Sequence, residues 1–87
     1  MSLKIEELKK KIIYRSSYRG IKEMDILLKS FVMENIDKLN SEELIKLHNF
    51  LDIDDDNLYK YINDLETEIK IPDNKISQLF KKFSINK

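Results

Sequence analysis

Apolar residues recur along this chain at helical spacing in five separated stretches. The first stripe is Leu3, Leu8, Ile12 and Ile13, with Tyr14 beside it. Its phase predicts an amphipathic helix from about Lys4 to Ser16, with Lys9, Lys10 and Lys11 on the polar face. Ser16 and Ser17 then offer side chains that compete with helical hydrogen bonding. The second stripe is the widest: Ile21, Met24, Leu27, Leu28, Phe31, Val32 and Ile36. Such width suits a central helix buried on more than one side. Gly20 stands immediately before it, and Glu23 and Asp25 put carboxylates near its positive end.

Asn40-Ser41-Glu42-Glu43 is a helix-start signal, with Asn40 as cap and Glu43 placed to close a capping box. Leu44, Leu47, Phe50 and Leu51 form the buried face that follows. The run Asp52 to Asp56 interrupts it, and Asp54 or Asp55 can cap a fourth helix with the face Leu58, Tyr61, Ile62 and Leu65. Tyr59 falls off that face. Ile71-Pro72-Asp73 is a second break, because Pro72 drives Ile71 toward extended backbone. Asp73 is expected to cap a last helix carrying Ile76, Leu79 and Phe80, with Lys81, Lys82 and Lys87 toward its negative end. The tail after Phe83 is expected to fray. The pattern predicts an all-α fold: one five-helix bundle over residues 1–87, core about 4–83, with loops of roughly three to six residues.

Composition narrows the chemistry. No cysteine is present among the 87 residues, which removes disulfides and thiolate ligands. One glycine and one proline argue against a turn-dense β fold or a glycine-loop nucleotide site. Hydrophobic residues at 41% and charged residues at 37% fit a folded domain with a heavily charged surface. No stretch approaches the ~20 apolar residues that span a bilayer. Glu6 and Glu7 make the start a poor mitochondrial presequence, so cytoplasmic residence is the expectation.

Net charge is zero, but it is unevenly spread. Residues 1–33 carry eight basic and four acidic side chains; residues 34–68 carry three and eleven; residues 69–87 carry five and one. An acidic middle lies between two basic ends. Either these parts neutralise each other within the fold, or one field faces a partner and steers encounter.

Candidate chemistry is sparse. His48 is the sole histidine and reads as an ordinary half-buried or surface residue. Asp52, Asp54 and Asp56 match the first three ligand positions of an EF-hand loop, but Asn57 replaces its glycine and Asn63 its final glutamate. The bland reading is a helix start. No catalytic residue and no metal ligand set is identified, so an enzyme is not expected. Tyr61 is assigned to the core. Tyr18 and Tyr59 are candidates for an exposed interface, since tyrosine is enriched there.

The sharpest feature is Tyr18-Arg19-Gly20-Ile21-Lys22-Glu23-Met24-Asp25. A lysine-rich chain that keeps arginine at this point suggests bidentate geometry that lysine lacks. Gly20 allows close approach of another backbone, or a positive φ. Two readings stay open: a capped helix start with an Arg19–Glu23 pair, or a binding surface.

This segment resembles the motif of the small flavinator proteins that assemble succinate dehydrogenase, the SdhE and succinate dehydrogenase assembly factor 2 family. Their Arg-Gly-x-x-Glu motif matches Arg19, Gly20 and Glu23, followed by Met24 and Asp25. An acidic turn leading to paired aromatics matches Asp54 through Tyr61. The resemblance covers about Ile12 to Phe80. Tyr18 stands where many members have a second arginine, Asp56 where proline is common, and Tyr61 where tryptophan is frequent. The resemblance implies a five-helix domain that binds the flavoprotein subunit of succinate dehydrogenase, and in some bacteria that of fumarate reductase. It implies promotion of covalent FAD attachment to that partner, with no cofactor held stably by this chain. It implies no nucleic-acid partner and no membrane insertion, with residence in the bacterial cytoplasm or, in a eukaryote, the mitochondrial matrix. Arg19, Gly20 and Glu23 are carried over as partner-facing, with Asp25 and Tyr18 adjacent. Two other classes compete. Lys9, Lys10, Lys11, Arg15 and Arg19 could form a basic stripe for nucleic acid, or Tyr18 and Tyr59 could serve a generic adaptor.

Overall fold

The computed structural model describes residues 2–17 and 19–85, and the side chains of Ser2 and Leu3 lie outside the description. Five helices form the fold: α1 (Ser2–Ser16), α2 (Lys22–Asn35), α3 (Ser41–Phe50), α4 (Asp55–Ile62) and α5 (Lys75–Ile85), with no strand among the described residues. The predicted stripes build the core. Ile12 of α1, Leu28, Phe31 and Val32 of α2, Leu44 and Leu47 of α3, Leu58 of α4, and Ile76 and Phe80 of α5 are buried. The Phe80 ring stands edge-on to Phe31 at 5.2 Å and to Phe50 at 5.3 Å between centroids. One side chain of α5 thereby ties α2 to α3. Edge-to-face pairs add about 0.5–1.5 kcal/mol each beyond the area they bury. Helix α1 closes the bundle against α2 and α3.

Local signals set most boundaries. Asn40 and Glu43 form the predicted capping box, each bond 2.9 Å. Asp54 caps α4 by accepting from the Asn57 amide. Asn57 is buried, yet its side chain is satisfied: it donates to Asp54 and accepts from the Glu68 amide at 2.8 Å.

Four expectations are corrected. Helix α5 is capped by Asn74, not Asp73: Asn74 Oδ1 accepts from the amides of Ile76 and Ser77. Asp73 accepts instead from the Gln78 side chain. Leu65 does not extend the buried face of α4, for the helix stops at Ile62 and Leu65 is 54% exposed. The stop is a Schellman motif. The Leu65 amide donates to the Lys60 carbonyl at 2.8 Å, and the Asp64 amide to that of Tyr61 at 3.3 Å. Asp64 takes the left-handed conformation, φ 58°, which a short polar side chain tolerates better than most. In consequence, the link from α4 to α5 runs over residues 63–74, longer than any predicted loop. Finally, α5 continues as helix to Ile85 rather than fraying after Phe83.

The uneven charge is resolved largely within the fold. Among the described residues, five ion pairs join a basic end to the acidic middle: Lys9–Asp37, Arg15–Asp52, Arg19–Asp55, Lys75–Glu43 and Lys81–Asp64. All but Arg19–Asp55 are largely exposed on at least one side, and exposed pairs contribute about 0–1 kcal/mol apiece. Their main effect is to set which surfaces face each other.

Two predictions follow from this packing. Phe80→Ala removes the ring shared by α2 and α3 and should destabilise by about 3–5 kcal/mol, read from urea denaturation. The second concerns acid. Hydrogen bonds from Lys75 and the Asn40 amide hold the Glu43 carboxyl below its ordinary range. The Arg15 guanidinium does the same for Asp52, and the Asn57 side chain and amide for Asp54. Carboxyls lowered in the folded state stabilise it above the ordinary range and lose that effect as pH falls through their folded values. The urea midpoint should therefore be lower at pH 3 than at pH 7; an unchanged midpoint would contradict the account.

Candidate functional site

The Arg-Gly-x-x-Glu segment lies in the turn between α1 and α2, docked against the turn between α3 and α4. Arg19 points inward, and its guanidinium reaches three groups of the second turn. Nε donates to Asp55 Oδ1 at 2.7 Å, Nη1 to the Leu51 carbonyl at 2.9 Å, and Nη2 to the Ile53 carbonyl at 2.5 Å. The other Asp55 oxygen accepts from the Ile21 amide at 2.9 Å. The two side chains are only 11% and 10% exposed. Asp55 thus holds the motif turn at both ends of Gly20. The Arg19 partner is Asp55, not Glu23, one turn along α2.

Arg15 makes a second, outer link. It pairs with Asp52, donates to the His48 carbonyl at 3.3 Å, and lies 3.4 Å from His48 Nε2. His48 is half-buried beside this pair.

Gly20 is exposed and does not adopt a positive φ. A Cβ built on it would meet Asp55 Oδ2 at 3.6 Å, an ordinary contact. Neither conformational freedom nor packing within the fold requires glycine here. Of the two uses left open for Gly20, a positive φ is the one the structure does not take.

The remaining candidates spread along one side. Glu23 is exposed in the first turn of α2. Asp25 is half-buried, and its Oδ1 is buried with no hydrogen-bond partner among the described residues. Tyr59 on α4 is 53% exposed. Tyr18 lies outside the described residues. Tyr61 is half-buried rather than fully in the core, and its hydroxyl donates to the Ser77 carbonyl at 3.1 Å. Beside the turn, a groove of about 350 Å³ between α2 and α4 is lined by Ile21, Glu23, Met24, Leu27, Tyr59 and Ile62. Glu23 and Tyr59, read separately from the sequence, line the same groove. Asp55, the organiser of the turn, was legible only as a possible helix cap. Its link to Arg19 spans 36 residues, and no local pattern announces it.

The arrangement offers a firmly held turn with an acidic rim, formed by exposed Asp52, Asp54 and Asp56, and an apolar groove alongside. Among the described residues, no group of three or more acidic or histidine side chains could hold a metal ion, and no helix is long and apolar enough to cross a membrane. Of the basic stripe proposed for nucleic acid, Lys9, Arg15 and Arg19 each pair with a carboxylate.

A family model described as flavinator of succinate dehydrogenase matches residues 10–84. The chain belongs to this flavinator family. As a flavinator-family chain it is similar to the mitochondrial succinate dehydrogenase assembly factor 2 of Dictyostelium discoideum, 36% identical over 72 residues. That match covers 75% of this chain and 51% of the relative. It is also similar to the protein of the same name from Aspergillus flavus, 29% identical over 79 residues, which cover 90% of this chain and 27% of the relative. The flavinator-family chain therefore spans about half the length of the first relative and about a quarter of the second. No solved structure matches it.

The clamp and the glycine make opposite predictions for stability. Arg19→Lys keeps the charge but loses the fork that serves Asp55 and two carbonyls at once, and should cost about 1–3 kcal/mol. Gly20→Ala, at a position with room for a methyl group, should stay within about 0.5 kcal/mol of the parent or exceed it slightly. Urea denaturation of both variants checks the pair, and a Gly20→Ala loss larger than that of Arg19→Lys would overturn the assignment.

Proposed function

We propose that this protein binds the flavoprotein subunit of succinate dehydrogenase and promotes covalent attachment of FAD to it. The related fumarate reductase flavoprotein is a further client where one is present. The observation that carries the reading is the Gly20 turn. The fold holds this turn by a buried ion pair, presents it to solvent, and has no need of its own for a glycine there. A bare backbone on a rigid turn is what close approach by a partner requires. Membership of the flavinator family supplies the partner.

In this reading Gly20, Glu23 and Tyr59 touch the flavoprotein, with Asp25 and Tyr18 at the margin. Arg19 acts through the turn it fixes. The bond between flavin and a histidine forms within the partner, so the protein supplies binding energy and no catalytic group. Its contribution is to hold the mobile capping region of the flavoprotein where the histidine and the flavin methyl group meet in attack geometry. Restricting that motion converts a rare alignment into a standing one. FAD is the substrate of the assembly step and stays with the partner. The compartment follows the client: the cytoplasm in a bacterium, and the mitochondrial matrix in a eukaryote, in keeping with relatives named mitochondrial.

The test is covalent flavin incorporation. The unflavinylated flavoprotein subunit, FAD and a dicarboxylate are mixed with this protein, and denatured samples are read for flavin fluorescence. The protein should accelerate labelling. Gly20→Leu should slow it at least about tenfold while the helical circular dichroism persists. Equal labelling with and without the protein would sink the proposal.

A further inference from the structure

The groove beside the motif turn has walls of two kinds. Its floor is apolar, from Met24, Leu27 and Ile62. Its rim carries carboxylates: Glu23 on α2 and, at the start of α4, Asp56. Glu23 has no ion-pair partner among the described residues, whereas Asp56 is paired one turn along with Lys60 at 3.1 Å and remains 60% exposed. Exposed pairs of the latter kind are weak and exchange readily. The Tyr59 ring lines the same groove, more than half in water. Ile21 lines both the groove and the cleft around Gly20, so the groove continues the surface of the motif turn.

We infer that this groove receives an arginine of the flavoprotein subunit together with an apolar side chain next to it on the same segment. The inference rests on the proposed function and specifies its chemistry. The carboxylates select a cation. The tyrosine face in the same groove selects a planar one, since a guanidinium can stack on a ring while forking onto a carboxylate, and an ammonium cannot do both. The apolar floor gives the neighbouring side chain a water-free seat. Tyrosine and arginine are also the residues that most often anchor protein interfaces. The acidic ridge of Asp52, Asp54 and Asp56 next to the groove disfavours a phosphate backbone or an acidic peptide in the same place.

The test measures binding of the full chain to the unflavinylated flavoprotein subunit by calorimetry. Glu23→Gln and Tyr59→Ala should each weaken the complex at least about tenfold, and Tyr59→Phe, which keeps the ring, should bind as the parent does. Both substituted side chains are exposed, so circular dichroism should be unchanged. A second arm pairs Glu23→Arg with a set of flavoprotein variants in which single surface arginines or lysines become glutamate. Recovery of binding with one arginine variant is the expected result. Recovery only with a lysine variant would overturn the choice of arginine. Parent-like binding by Glu23→Gln and Tyr59→Ala, alongside failure of Gly20→Leu, would remove the groove from the interface while leaving the proposed function standing. No binding by the parent protein would remove both.

Discussion

One inward-facing guanidinium organises the turn that carries the Arg-Gly-x-x-Glu motif. Arg19 enters a pocket built by the turn between α3 and α4 and finds a carboxylate and two carbonyl oxygens waiting. A charge taken out of water costs several kcal/mol unless its partners are complete. Here three of its five N–H donors are matched, one from each nitrogen, and the Ile21 amide satisfies the second oxygen of Asp55. The consequence is mechanical. The backbone on either side of Gly20 is tied to a separate part of the fold, so the turn has one orientation. A turn that waved in solvent would have to be ordered on each encounter, at a cost in affinity.

The rest of the bundle keeps the two turns together. Phe80 bridges α2 and α3, the helices that flank the motif turn and the acidic turn, and Leu58 anchors α4 on the same core. The five ion pairs between the ends and the middle add orientation. Without them the fold would carry separate basic and acidic fields. With them, part of the basic charge is matched, and the exposed carboxylates Asp52, Asp54 and Asp56 stand beside the motif turn. Acidity there attracts basic surfaces and repels a phosphate backbone, which accords with a protein client more than with the nucleic-acid class raised by the sequence.

Much of the fold was legible because its causes are local. Helical stripes, the Asn40–Glu43 box and the acidic start of α4 act within a few residues, and they stand where the pattern placed them. The misreadings share a cause as well. Asp73 and Asn74 are adjacent and chemically alike as caps, and the choice fell to Asn74 through its reciprocal bonds with Ser77. Leu65 fits the α4 stripe, but the left-handed turn at Asp64 diverts the chain before it can be buried. The motif itself was visible as a cluster, and Glu23 and Tyr59 as exposed candidates. What the sequence concealed was the division of labour. Arg19 looks outward-facing in a list of residues, and only the distant position of Asp55 turns it inward.

The span of the clamp has a consequence for how the protein comes into being. Arg19 and Asp55 are separated by 36 residues, so a chain growing on a ribosome makes the motif long before it makes the residue that orders it. Until Asp55 has emerged, the carboxylate that ties down Arg19 and the Ile21 amide is missing. A truncated or half-made product carries the same letters but not the shaped surface. The shaped turn is therefore a late acquisition, one that a chain cut short of Asp55 never gains.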